Sequence, residues 1–325
     1  MKTPTAQLTV VFLAAILLGV GGSVVARLWG TEFENPVRPG AAETLPLDAV
    51  AEEYPGAGAP GELEVQAIAQ AYPDIVSKVA YLEGDWAVRI SGTWYFFAEG
   101  RMLPESEREN FRNFTSIRFY NYTPGPFKAR VITEETAERL RSRSARSEPP
   151  PPRHNAFLDS LYQITTRRDA ERQIGPHHFL GRSAQVHQML VGPLQRVEQD
   201  LIALSARDAE VRDFITGLHQ ISGFLWRNIA GTQSRSYHGY GVAVDLIPRS
   251  YQRRWGYWRW AMDGGVEEWW NIPAEQRWSV PDAVLEVFER HGFVWGGKWL
   301  SFDPIHFEYR PEVLLLSELR AGYDD

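Results

Sequence analysis

Ser236-Tyr237-His238-Gly239-Tyr240-Gly241-Val242-Ala243-Val244-Asp245 is the stretch around which this chain is organised, and Asp303-Pro304-Ile305-His306-Phe307-Glu308 is its counterpart further along. Val242 to Ile247 reads as a short, largely buried strand with Asp245 at its polar position. Ile305 to Tyr309 alternates apolar and polar residues, so His306 and Glu308 share one face of a strand. Gly239 and Gly241 permit the tight approach that swings His238 back toward Asp245. His238, Asp245 and His306 make up a usual ligand set for catalytic zinc, in which three protein ligands leave the fourth position open to water. Asp303, three residues before His306, is a carboxylate suited to take that water's proton. A histidine met alone is normally a structural one. Here the spacing and the neighbouring carboxylates favour a metal, since an aspartate inside a Val-Ala-Val run needs a cation. Glu308 reads either as a partner that orients His306 or as a surface charge. Ser236 reads either as a substrate contact or as a loop stabiliser.

The pattern Ser-x-His-x-x-Gly-x-Ala-x-Asp, then Gly-Gly-x-Trp, then Asp-x-x-His-Phe-Glu resembles the VanY-type D-alanyl-D-alanine carboxypeptidase family. That family is the peptidoglycan-peptidase branch of the lysostaphin/D-Ala-D-Ala peptidase/hedgehog superfamily. The resemblance runs from about Phe224 to Glu312. It implies that His238, Asp245 and His306 bind one Zn²⁺ per chain and that Asp303 is the general base. It also implies that Arg227, in Trp226-Arg227-Asn228-Ile229, helps to stabilise the transition state. Many members carry the base in Glu-x-x-His, often with two tryptophans between. Glu268-Trp269-Trp270-Asn271 has that look but lacks the histidine, so it is read as a decoy. Asp303-x-x-His306 is the form of the endopeptidase-like branch, which leaves exopeptidase and endopeptidase both open.

Composition sets outer limits. A chain of 325 residues holds one large or two modest domains, and 44% hydrophobic with 23% charged residues is ordinary for a globular protein. The net charge of -7 gives no reason to expect nucleic acid. The absence of cysteine excludes disulfides, thiolate zinc sites and cysteine nucleophiles.

Taken in order, the chain starts with Lys2 and an uncharged run whose Leu8 to Ala26 portion approaches the ~20 residues of a membrane-spanning helix. Residues 1–29 are therefore expected to be a signal anchor or a signal peptide, with Val24-Val25-Ala26 as a candidate cleavage site. Residues 30–61, rich in Glu, Pro, Ala and Gly, read as a flexible tether. Residues 62–130 read as a small β-rich accessory module. In it a helix over Glu62 to Val79 precedes a hairpin of Trp86–Ile90 and Thr93–Phe97 turning at Ser91-Gly92, and Ile117–Tyr122 is a third strand. Its aromatics are expected to pack a minor sheet, with glycan or partner binding as the alternative. Residues 131–153 form an Arg- and Pro-rich linker ending in four prolines, and residues 154–325 the metallopeptidase domain. Within it, Asn155–Tyr162 is a short helix and Gln185–Ala206 a long amphipathic one kinked at Pro193. A further helix is capped by Asp208, and another opens at Pro281 and ends at His291-Gly292. Short strands are expected at Gly223–Arg227, Val242–Ile247, Phe293–Trp295 and Ile305–Tyr309. The fold class is α+β, with helices on a small, mainly antiparallel sheet that carries the site.

Eight of the 12 tryptophans lie between Trp255 and Trp299. They either wall a substrate groove or pack a loop-rich insertion, and Trp299 is expected to line the cleft. His154, His177, His178, His187 and His219 have no partnered motif, and His291 reads as a cation at a helix C-terminus.

These readings converge on a zinc metallopeptidase of the D,D-carboxypeptidase type. It would act on peptidoglycan stem peptides outside the cytoplasmic membrane, held there by its N-terminal segment. Arg227 and Lys298 are the candidate partners for a substrate carboxylate. An endopeptidase of the same superfamily, or a catalytically silent zinc-bound module that binds the cell wall, is the alternative.

Overall fold

The computed structural model describes residues 58–117, 119–128, 131–144 and 149–323. The N-terminal apolar run, most of the tether, and residues 145–148 of the linker lie outside the described residues. Among the described residues no helix is long and apolar enough to cross a membrane.

The first elements are helix α1 (Glu62–Ala71) and a four-stranded antiparallel meander: β1 (Val76–Leu82), β2 (Asp85–Ile90), β3 (Thr93–Ala98) and β4 (Arg101–Pro104). The hairpin expected at Ser91-Gly92 is present, with Ile90 paired to Thr93 and both turn residues at positive φ (48° and 86°). That is the two-residue turn whose twist matches paired strands, and the next hairpin repeats it at Glu99-Gly100. The helix stops well short of Val79. Pro73 disfavours helical geometry at Tyr72, and the chain passes into β1 instead. The third strand expected over 117–122 is not one; its described residues join no sheet, and Tyr122 is buried.

Three helices follow: α2 (Glu134–Ser144), α3 (Ala156–Tyr162) and α4 (Arg167–Gln173), the last opened by a Thr166/Asp169 capping box. A second hairpin pairs β5 (Ile174–Phe179) with β6 (Arg182–His187). Next come α5 (Val191–Ser205) and α6 (Ala209–Gly217), and Asp208 caps α6 through Glu210 N and Val211 N. The long helix expected from Gln185 therefore begins only at Val191. Pro193 sits in its first turn, where the missing N–H leaves no intrahelical bond unmade, so no kink is needed.

The central sheet is built from β7 (Leu218–Ser222), β8 (Ala243–Pro248), β9 (Phe293–Trp295) and β10 (His306–Tyr309), in the order β7-β8-β10-β9 and antiparallel throughout. Its first strand ends at Ser222, where Gly223–Arg227 was expected to be one. Helices α7 (Trp258–Asp263), α8 (Asp282–Arg290) and α9 (Pro311–Tyr323) complete the chain. The fold is thus α+β with small antiparallel sheets.

One hydrophobic core joins the N-terminal meander to the central sheet. Val65, Ile68, Trp86 and Val88 belong to the same buried cluster as Phe157, Tyr162, Tyr240 and Val244. Phe288 of α8 stacks on Phe307 of β10 with ring centroids 4.1 Å apart, fixing the strand that carries His306. A second cluster packs Trp269, Trp270 and Ala261 against Ala137, Leu140 and Phe302. Much of the tryptophan concentration therefore packs the loop-rich insertion between β8 and β9.

Candidate metal centre

β8 and β10 pair so that His306 is the register partner of Asp245, and one face of the sheet carries both. His238 arrives from a short 3-10 turn, Tyr237–Tyr240. Gly241 ends that turn with φ 68°, and a Cβ there would meet Ile174 Cδ1 at 2.3 Å, so only glycine lets the chain reverse into β8. Ser236 opens the turn and its Oγ accepts from His238 N at 3.3 Å. The serine is 5% exposed and serves as a turn cap. Of its two readings, the loop stabiliser is the one with geometry behind it.

His238 Nε2, His306 Nδ1 and Asp245 Oδ1 form a triangle with sides of 3.1, 3.1 and 2.8 Å. A tetrahedral zinc with bonds of ~2.0–2.1 Å has ligand atoms about 3.3 Å apart. The outer ring atoms fix which nitrogens point inward. His238 Nδ1–H donates to the Gly223 carbonyl at 2.6 Å, and His306 Nε2–H donates to Glu308 Oε1 at 3.1 Å. Two imidazole lone pairs and a carboxylate oxygen therefore converge with no donor among them. Such an arrangement calls for a cation. Without one, a shared proton serves. Burial pushes the His306 imidazolium down, but Asp245 and Glu308 outweigh it and hold it well above its usual range. Burial raises the Asp245 carboxyl, and the two histidines more than reverse that. These three residues could hold a metal ion. His154, His177, His178, His187, His219 and His291 do not join them, and His291 instead pairs with Asp200 at 2.9 Å.

Asp303 lies beside the triad. Its backbone carbonyl accepts from His306 N at 3.1 Å, and its Oδ1 is buried without a hydrogen-bond partner among the described residues. Burial, with Asp245 and Glu308 adding to it, raises its carboxyl to about 7 against the opposing pull of His306 and Arg227. Arg227 is exposed, lines a recess with Trp226, Asn228 and Asn155, and makes no ion pair among the described residues. The Trp299 ring stands 5.5 Å from that of His306, with its Nε1–H donated to Tyr120 Oη at 2.8 Å. Glu308 is buried, and its other oxygen lies 3.6 Å from Arg310 Nη1. The orienting role is thus the one its position fits.

Two sequence candidates lie elsewhere. Glu268 pairs with Arg141 at 2.9 Å on the surface, consistent with a decoy. Lys298, offered as a carboxylate partner, is held by Glu289 at 2.5 Å and the Thr123 carbonyl at 2.8 Å, so its charge is already matched. Sequence reasoning passed over Tyr251 and Tyr257. The negative charges of Asp245 and Asp303 raise the Tyr251 phenol beyond what burial does, and Asp303 does the same at Tyr257. Trp258 N donates to Phe302 O at 3.0 Å, which anchors this part of the insertion next to Asp303. No local motif marks either tyrosine; only the folding back of the insertion brings them in. Arg259 is half-buried, and its Nε has no partner among the described residues.

Residues 230–309 match a family model described as D-alanyl-D-alanine carboxypeptidase, and residues 64–119 match one described as a domain of unknown function. No curated protein and no solved structure matches the chain. The first match spans His238, Asp245, Asp303 and His306 but not Arg227. The 230–309 segment is thus similar to that family, and with the converging ligand set inside it the match supports a zinc metallopeptidase.

Proposed function

We propose that this chain is a zinc-dependent D,D-carboxypeptidase that removes the terminal D-alanine of peptidoglycan stem peptides. The observation that carries the reading is the convergence of His238 Nε2, His306 Nδ1 and Asp245 Oδ1 within 3.1 Å of one another, beside the buried Oδ1 of Asp303. A zinc ion held by the triad supplies Lewis acidity and lowers the pKa of water to near neutrality.

The side chains do the rest. Asp303, with a carboxyl near 7, takes the proton of the attacking water and returns it to the leaving amine. Glu308 and the Gly223 carbonyl keep the two imidazoles in the tautomers that present their lone pairs. Arg227 faces the charge that develops on the carbonyl oxygen. Trp299 forms a wall beside His306. A base at Asp303 argues against a silent binding module, which needs only ligands. Export is supported by Lys2 and the apolar run after it, which favour a catalytic domain outside the cytoplasmic membrane, anchored there.

Anchoring of the insertion at Phe302 favours closure of one side of the cleft, as an exopeptidase needs. The Asp-x-x-His form favours the second reading, an endopeptidase. Digestion of a stem pentapeptide ending in D-Ala-D-Ala, beside its C-terminal amide, decides between them. Release of D-alanine from the free acid and its near loss with the amide is expected. Equal cleavage of both, or cleavage at an internal bond, identifies an endopeptidase.

A further inference from the structure

The segment of unassigned function, residues 64–119, reaches the back of the metal centre at Tyr72. Tyr72 follows α1, and its hydroxyl donates to Glu312 Oε2 at 2.8 Å. Glu312 Oε1 pairs with Arg310 Nε. Arg310 Nη1 lies 3.6 Å from Glu308 Oε2, and Glu308 Oε1 accepts from His306 Nε2 at 3.1 Å. The line thus runs from a metal ligand to the N-terminal segment through side chains that are all buried, Arg310 being only 1% exposed. The guanidinium of Arg310 also lies 4.9 Å from the ring of Tyr237, the residue before His238. One cation therefore braces the surroundings of two ligands.

Charge balance explains the tyrosine. Arg310 stands between two buried carboxylates, Glu308 and Glu312, and a carboxylate out of water needs donors. Tyr72 supplies one to Glu312 without adding charge. Burial and the neighbouring Glu312 push its phenol well up, so it keeps its proton and acts as a donor. Removing that hydroxyl makes Glu312 draw harder on Arg310, whose contact with Glu308 is the longest link of the line. Glu308 is then less well held where it orients His306.

We propose that residues 64–119 serve as a positioning element of the metal centre, with Tyr72 setting the orientation of His306 through Glu312, Arg310 and Glu308. The proposal rests on the reading of His306 as a metal ligand.

The test uses the full-length protein, with Zn²⁺ affinity measured by chelator competition and Co²⁺ substitution reporting ligand geometry through its visible absorption bands. Glu308→Gln sets the scale, at about 10- to 100-fold weaker metal binding for a direct partner of a ligand. Tyr72→Phe is expected to weaken Zn²⁺ binding by roughly 3- to 10-fold, less than that direct partner, and to shift the Co²⁺ bands. Its lost peptidase activity should return at saturating zinc, as a general loss of fold would not allow. Tyr95→Phe removes a bond of 2.5 Å to Ser160 Oγ from the same segment and should leave affinity and spectrum unchanged. If Tyr72→Phe does not fold, Glu312→Gln is measured in its place, with the same direction expected. Unaltered affinity and Co²⁺ spectrum in these variants, alongside a clear effect of Glu308→Gln, would overturn the proposal. A wild-type protein that binds neither metal overturns the metal reading itself, and this inference with it.

Discussion

Asp245 and His306 face each other across the antiparallel strands β8 and β10, with carboxylate Oδ1 2.8 Å from imidazole Nδ1. Because side chains alternate along a strand, a shift of one residue in this register would send the two groups to opposite faces. The stacked pair Phe288 and Phe307 and the packed Val244 hold that register from the other face. The site is therefore only as well defined as the core behind it.

Asp303→Asn should retain its metal and lose turnover by about 10²-fold or more, since the variant keeps the shape of the side chain but cannot accept a proton. Metal analysis and peptide hydrolysis on the same preparation check this. Glu268→Gln should be near normal, because Glu268 pairs with Arg141 on the surface. A dead Glu268→Gln with an active Asp303→Asn would exchange the two roles.

The pH dependence has a definite sign. Burial raises the Asp303 carboxyl to about 7, so below that pH it carries a proton and cannot act as a base. A bound cation opposes that rise and lowers the value. kcat/KM should thus fall toward acid, about tenfold per pH unit, with a midpoint at or below about 7. The profile is taken with metal content measured at each pH. A rate that stays flat at full metal occupancy from neutrality down through the ordinary carboxylate range, to about pH 3, would remove Asp303 from the role of base.

The ligand pattern was legible because its residues sit close together in sequence, on a strand whose alternation is plain: His238 and Asp245 in one run, Asp303 and His306 in another. The Ser91-Gly92 hairpin was legible for the same reason. What escaped depends on distant partners. Val186 continues a helical spacing into α5, yet it lies in β6 and pairs with Gly175 of β5, and only the hairpin decides that. Lys298 looked free in sequence and is matched by Glu289. Tyr72 meets Glu312 across 240 residues, a separation that no local period can encode.

Gly241→Ala should destabilise the metal-free protein by more than ~1 kcal/mol, because a positive φ disfavours any other residue. The added Cβ would also meet His187 N at 2.9 Å, so the turn that carries His238 must shift. Thermal denaturation should show a clear fall in Tm, accompanied by weaker metal binding. An unchanged Tm would mean that the turn tolerates an L side chain and that His238 is not held as described.

The most direct measurement is the zinc content of the purified wild-type protein and of His238→Ala, by elemental analysis after exhaustive dialysis. The account predicts about one Zn²⁺ per chain in the wild type and almost none in the variant, with hydrolysis of the stem peptide lost alongside the metal. Full zinc content in His238→Ala, or a wild type that hydrolyses the peptide with no metal bound, would contradict it.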